Sequence, residues 1–250
     1  MKNRAYKNYI FDFHGTLVDI LTDEKDPVLW DTLGQLYQAY GAAYEGDALK
    51  KAYAKRVAQT RKELIEIKGV AYPEVDLAHI FNQLYVDGRS QSSNSSQPDD
   101  WGNLIAMVFR VLSRKQLLAY PHTKEVLTFL KEQGCRLYLL SNAQAAFTNA
   151  EIDLMELRPY FDAIYLSSDV GICKPQPEFL KQVLDDYGLK PSETVMVGND
   201  LTTDIAVAEA VGIDGILLNT FPYSRRELEN SPIKPDRVIT DIEALKTNFT

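Results

Sequence analysis

No run in this 250-residue chain approaches the roughly 18 apolar residues that a membrane-crossing helix needs. The first residues, Met1-Lys2-Asn3-Arg4, carry charge but lead into no apolar stretch of signal-peptide length. Cysteine is nearly absent: Cys135 and Cys173 stand far apart, without the spacing of a metal site or a disulfide framework. Basic charge is in deficit as well, with 27 Lys and Arg against 35 Asp and Glu, a net charge of -8. A chain of that sign offers no basic surface to neutralise a nucleic-acid backbone. These absences lead us to expect a cytoplasmic protein with reduced thiols, no membrane contact and no nucleic-acid partner. A small anionic ligand stays compatible, because one pocket can be positive on an acidic protein.

Length and composition are ordinary for a globular protein and suit one α/β domain, with or without an inserted module. Three apolar runs read as buried parallel strands: Tyr9-Ile10-Phe11, Leu137 to Leu140, and Thr194 to Val197. Ile164 to Leu166 and Gly215 to Leu218 add two more. Helical patterns separate them. Thr123 is a candidate cap for a helix carrying Val126, Leu127 and Leu130 on one face and ending at Gly134. Pro177 opens another, with Phe179, Leu180 and Val183 inward and Gly188 at its end. The alternation predicts a doubly wound parallel α/β sheet.

Between Ile20 and about Lys115 the periodicity becomes helical. Leu33, Leu36, Tyr37 and Tyr40 share a face; so do Leu49, Ala52 and Tyr53, and so, on this reading, do Leu104, Val108, Val111 and Leu112. We expect a helical insertion after the first strand. Arg89 to Asp100, rich in Ser, Gln and Asn, reads as a loop or flap within it.

Polar clusters follow the strands, where an open α/β sheet binds its ligands. Asp12-Phe13-His14-Gly15-Thr16 places a carboxylate and an imidazole two residues apart on extended backbone, hence on one face. Such a carboxylate can attack phosphorus, although it can equally cap a turn. Ser141-Asn142 offers a hydroxyl, an amide and nearby N–H groups to a phosphate oxygen, or a helix cap. Lys174, before Pro175, would balance phosphate and carboxylate charge; its neighbour Cys173 reads as packing. Gly198-Asn199-Asp200-Leu201-Thr202-Thr203-Asp204 supplies oxygen ligands of the kind Mg²⁺ prefers, or an acidic helix start.

With all four clusters in this order, the chain resembles the haloacid dehalogenase superfamily, and within it phosphoglycolate phosphatase-like enzymes with a helical cap. The resemblance covers about residues 5–20 and 116–245. It implies a Rossmann-like core of residues 1–20 and 116–250, and a cap of residues 21–115 that closes over the substrate. It implies Mg²⁺ as cofactor, a small phosphorylated substrate, and hydrolysis through an aspartyl-phosphate. In the family pattern Asp12 matches the nucleophile and metal ligand. The main-chain carbonyl at His14 matches a second metal contact. Thr16, Ser141, Asn142 and Lys174 match phosphate-binding positions, and Lys174 also steadies the nucleophile. The remaining metal ligands fall among Asn199, Asp200 and Asp204, and the first acidic slot fits either Asn199 or Asp200. Phosphatases of the family carry Asp where this chain has His14, so an imidazole is the expected acid and base here. Relatives that cleave carbon–halogen or carbon–phosphorus bonds also lack that Asp. A dehalogenase, a phosphonate hydrolase and a phospho-ligand-binding protein therefore stand as alternatives. Arg61, Lys62 and Arg89 are insertion cations that could meet an anionic substrate. The sequence carries no sign of oligomeric state.

Overall fold

The computed structural model describes residues 6–89 and 98–249. Six strands form one parallel sheet in the order β5-β4-β1-β6-β7-β8. They are β1 (Asn8–Phe11), β4 (Arg136–Ser141), β5 (Ala163–Leu166), β6 (Thr194–Gly198), β7 (Asp214–Leu218) and β8 (Arg237–Ile239). Register runs Phe11↔Leu139 on one side of β1 and Phe11↔Val197 on the other. The chain leaves β1 toward β4 and leaves β6 toward β7, so strand order reverses between β1 and β6. The crevice at the strands' carboxyl ends opens at that reversal.

Strands buried on both faces need apolar residues at every position, which explains the continuous runs. Tyr9 and Phe11 join Leu137, Leu139, Val195 and Val197 in one core layer. Ile10 joins Tyr138, Leu140 and Met196 in the layer on the opposite face. Helix α5 (Thr123–Glu132) covers the first layer with Val126, Leu127 and Leu130. α8 (Pro177–Asp186) covers the second with Phe179, Leu180 and Val183. Gly188, at φ +58°, follows α8 in the left-handed conformation that side chains resist. Thr123 is not the cap of α5: His122 holds that position, and the Thr123 hydroxyl donates to Leu17 O at 3.1 Å.

Between β1 and β4 lie α1 (Pro27–Ala39), α2 (Gly46–Lys68), α3 (Leu77–Gly88) and α4 (Trp101–Ser113), with a hydrophobic cluster of their own. An antiparallel ribbon, β2 (Val18–Thr22) with β3 (Arg114–Ala119), joins this helical unit to the sheet. Its two strands are about a hundred residues apart and have no counterpart in the sequence reading. Residues 20 and 116 both lie within it.

The face expected for α4 is corrected in part: Val108 and Leu112 pack against the helical unit's core, but Leu104 and Val111 do not. Trp101, Ile105, Ala106, Phe109 and Arg110 are buried, while Leu104 and Val111 are 48% and 55% exposed. The helix is apolar nearly all round, and a buried charge, Arg110, marks the inward stripe. The expected loop at Arg89 to Asp100 falls mostly on residues 90–97, outside the described residues.

The remaining helices are α6 (Ala145–Leu154), α7 (Ser167–Val170), α9 (Ala206–Val211) and α10 (Arg225–Asn230). A π-helical turn, Leu201–Ile205, leads into α9. No described helix is long and apolar enough to cross a membrane.

Candidate active site

Asp12 follows β1 directly, and its N–H still completes the sheet by donating to Val197 O at 3.0 Å. Its side chain is buried at the strand reversal. Oδ1 accepts from Lys174 Nζ at 2.7 Å and from Ser141 Oγ at 3.1 Å. Oδ2 accepts from Thr16 Oγ1 at 3.2 Å. Three of the sequence clusters therefore meet on one carboxylate, carried there by adjacent strands β1 and β4 and by the loop after β5.

Lys174 is fully buried. Its ammonium donates to Asp12 Oδ1 and Leu140 O, each at 2.7 Å, and forms an ion pair with Asp204 Oδ1 at 2.7 Å. Two of its three N–H bonds are thereby committed to hydrogen bonds. Burial opposes its charge, but Asp12 and Asp204 outweigh that and raise its pKa above the ordinary value. Burial likewise pushes Asp204 above the usual carboxylate range, Lys174 pulling the other way. Asp204 Oδ2 accepts from Asp200 N at 3.1 Å. Asp204 Oδ1, among the described residues, accepts no hydrogen bond and meets Lys174 only as an ion pair. The approach is close: a Cβ on Gly198 would fall 2.2 Å from Asp204 Oδ2.

The Asn142 side chain braces the lysine loop. Nδ2 donates to Lys174 O at 2.9 Å, and Oδ1 accepts from Lys174 N at 2.7 Å. The side-chain amide expected for phosphate is engaged with main chain instead. Thr16 is buried, and its hydroxyl lies 3.2 Å from both Asp12 Oδ2 and Asn199 Oδ1. Gly15, at φ +84°, packs so tightly that a Cβ would lie 2.6 Å from Asn199 Nδ2. Asn199, at the end of β6, therefore stands beside Asp12. Asp200 does not: its Oδ1 accepts from Thr202 N, Thr203 N and Thr202 Oγ1, capping the turn that follows.

His14 leads away from Asp12's hydrogen-bond partners into a second cluster. Nε2 lies 2.9 Å from Glu151 Oε2 and 3.2 Å from Arg110 Nη2. Arg110 grips Glu151 with Nε at 2.7 Å and Nη2 at 3.0 Å, and Arg114 Nη1 adds a bond at 3.0 Å. Burial would raise the Glu151 pKa, but donors from His14 and Arg110 hold it down at about 2. Sequence reasoning missed Glu151, Arg110 and Arg114. The available signal was a charge on each of two apolar stripes: Glu151 beside Phe147 and Ile152 on α6, and Arg110 beside Ala106 and Phe109 on α4.

The helical unit also meets the lysine loop. Glu74 N donates to Gly171 O at 3.1 Å, Cys173 N to Tyr72 O at 3.0 Å, and Lys68 Nζ to Gly171 O at 3.0 Å. The Glu74 carboxylate accepts from Ser167 Oγ and from Gln144 Nε2, and burial raises its pKa. Of the insertion cations, Arg61 and Lys62 are exposed, Arg61 acting electrostatically on Glu74 and Cys173, and the Arg89 backbone pairs with Ala42 in an isolated β-bridge. Cys173 itself is half-buried with its thiol pushed up to about 11, which suits packing rather than nucleophilic attack. A cleft of about 510 Å³ lies between α2, α3 and Ser168–Gly171, and none of the candidate catalytic residues lines it.

Comparison with known proteins places this geometry in context. The haloacid dehalogenase-like hydrolase family matches residues 6–212. Glyceraldehyde 3-phosphate phosphatase of Methanothermobacter thermautotrophicus is 31% identical over 134 residues, 52% of this chain and 58% of that protein. Pyrimidine 5'-nucleotidase of Streptococcus pneumoniae is 27% identical over 226 residues, covering 90% of this chain and 86% of that one. The chain spans about half the length of the first curated relatives it matches. A HAD phosphatase structure from Thermococcus onnurineus superposes with a TM-score of 0.63 at 19% identity, covering 97% of each chain. That likeness shows the same fold.

Proposed function

This chain belongs to the haloacid dehalogenase-like hydrolases, and on that basis we propose that it is a Mg²⁺-dependent phosphohydrolase of small phosphorylated metabolites, with Asp12 as nucleophile. The observation that carries this reading is the Asp12 carboxylate, buried at the strand reversal and held by Lys174 and Ser141 on one oxygen and by Thr16 on the other. A carboxylate held in this way supports the reading of a nucleophile over that of a turn cap.

The donor set fits Mg²⁺. Asp12 Oδ2 and Asn199 Oδ1 share one hydroxyl neighbour, and both are hard oxygens, as is the His14 carbonyl. Among the described residues no three His, Cys, Asp or Glu side chains converge as a metal site. Mg²⁺ needs only one or two carboxylates, with waters and substrate phosphate completing its shell. The buried charges Asp12, Asp204 and Lys174 sum to -1, which a divalent cation offsets. When bound, the ion would supply positive charge against the phosphate.

The remaining chemistry belongs to the chain. Asp12 forms a bond to phosphorus while the ester P–O bond breaks. The His14 ring gives a proton to the departing alkoxide. Water then loses a proton to the same ring and attacks phosphorus, which releases phosphate and restores the Asp12 carboxylate. Lys174 holds the nucleophile throughout. The helical unit acts as the cap: it reaches the lysine loop through Tyr72 and Glu74, and presents Arg61 to an anionic substrate.

Replacing Asp12 with Asn tests the proposal. Hydrolysis of p-nitrophenyl phosphate in Mg²⁺ should vanish while the circular dichroism spectrum stays native. Retained turnover in that variant would rule the scheme out.

A further inference from the structure

The two ring nitrogens of His14 are not equivalent. Nε2 is 2.9 Å from Glu151 Oε2, a distance at which a carboxylate requires a hydrogen on the nitrogen. Without that hydrogen, two lone pairs would oppose each other. Arg110 Nη2, at 3.2 Å from Nε2, gives one N–H to the same Oε2 at 3.0 Å and has a second that can point at the ring nitrogen, so Nε2 faces a carboxylate and a cationic donor at once. The shorter contact, to the charged carboxylate, assigns the proton to Nε2. Nδ1 has no hydrogen-bond partner among the described residues, and the side chain keeps 18% of its exposure.

Glu151 is itself immobilised. Its side chain is 2% exposed and takes four bonds from three residues of two other segments. Arg110 forks onto it and lies 4.7 Å over the Phe147 ring, one turn earlier on α6. Arg110 lies in the last turn of the helical unit's last helix, and Arg114 begins the ribbon strand that returns to the sheet. One carboxylate thus joins His14 to the junction between the two parts of the molecule.

We propose that Glu151 is the positioning residue for His14: it fixes the imidazole by Nε2–H, makes Nδ1 the working nitrogen, and through Arg110 and Arg114 ties that orientation to the helical unit. The inference rests on the reading of His14 as acid and base. The Nε2 proton stays in place throughout; the proton given to the alkoxide leaves Nδ1, and the one taken from water returns there. Glu151 touches no reacting atom.

Two measurements test this. The first needs no variant: ¹⁵N NMR of the His14 ring in the Mg²⁺-loaded protein, assigned with His14→Asn, at a pH where the ring is neutral. The expected spectrum shows Nε2 protonated and Nδ1 bare. A protonated Nδ1 overturns the proposal whether or not the protein is a phosphatase. The second compares Glu151→Gln with the unmodified protein on an alkyl phosphate and on p-nitrophenyl phosphate, whose leaving group needs no proton. The ratio of alkyl to nitrophenyl kcat/KM should fall about 10–100-fold, as for other supporting hydrogen-bond partners. In the His14→Asn background the same change should leave that ratio where it was. Equal losses on both esters, or an undiminished effect without His14, would assign Glu151 to packing alone. If the unmodified protein hydrolyses neither ester, the phosphatase reading fails while the NMR result still decides the tautomer.

Discussion

Replacing Glu151 with Gln should destabilise the protein in a pH-dependent way. Glu151 is held at about 2 in the folded protein, against an ordinary value of 4.5. A carboxyl whose folded pKa is depressed contributes stability above its unfolded pKa and loses it as pH falls toward the folded one. The drop from 4.5 to about 2 corresponds to about 3 kcal/mol at pH 7. Removing one partner of a buried ion pair gives an independent figure of about 3–5 kcal/mol. Gln keeps one acceptor for Arg110, so about 3 kcal/mol is the expected loss at pH 7. By the same linkage the gap between parent and variant narrows to about 1 kcal/mol at pH 3, because the parent is losing its advantage. Urea unfolding of both proteins from pH 7 down to pH 3 measures it. A loss below about 1 kcal/mol at pH 7, or a gap that does not shrink on acidification, would refute the buried ion-pair reasoning.

Other expectations follow from the same geometry. Lys174→Met leaves Asp12 and Asp204 facing each other without a counter-charge; turnover should be lost and unfolding eased by about 3–5 kcal/mol at pH 7, read by activity and urea melts. Asn199→Asp adds a carboxylate beside Asp12 and should lower the Mg²⁺ concentration needed for half-maximal activity. Asp200→Asn should leave that requirement nearly unchanged, since its side chain caps a turn, and cost about 1 kcal/mol or less of stability. His14→Asn should slow alkyl phosphate hydrolysis by about 10²–10⁴ and p-nitrophenyl phosphate hydrolysis much less, seen in steady-state rates on the two esters.

Much of the sheet was legible because of how parallel strands are buried. Tyr9-Ile10-Phe11 and Val195 to Val197 are apolar at every position, and each is followed within two residues by a polar side chain at the crevice. Asp12, Ser141 and Lys174 could be found from one sequence because each lies at the end of a strand, just past one or in the loop beyond one. The ribbon of β2 and β3 could not, since Asp19 faces Leu118 only once the chain has returned. The inward face of α4 was misread for a related reason: Leu104 and Val111 are apolar yet exposed, whereas Arg110 is charged yet buried through a partner 41 residues away. Periodicity ranks residues by polarity, and an ion pair inverts that ranking. The slot shared by Asn199 and Asp200 was ambiguous by spacing. In the fold the two side chains are placed differently, Asn199 packed on Gly15 and Asp200 capping the turn that follows.

The central claim is that phosphate passes through Asp12. The most direct measurement is an acid-quenched single turnover of the Mg²⁺-loaded protein with a phosphate ester, followed by peptide mass spectrometry. The account predicts one phosphoryl group on Asp12, absent with chelator and absent in Asp12→Asn. Ester hydrolysis that proceeds in Asp12→Asn, or a phosphoryl group carried by another residue, would contradict it.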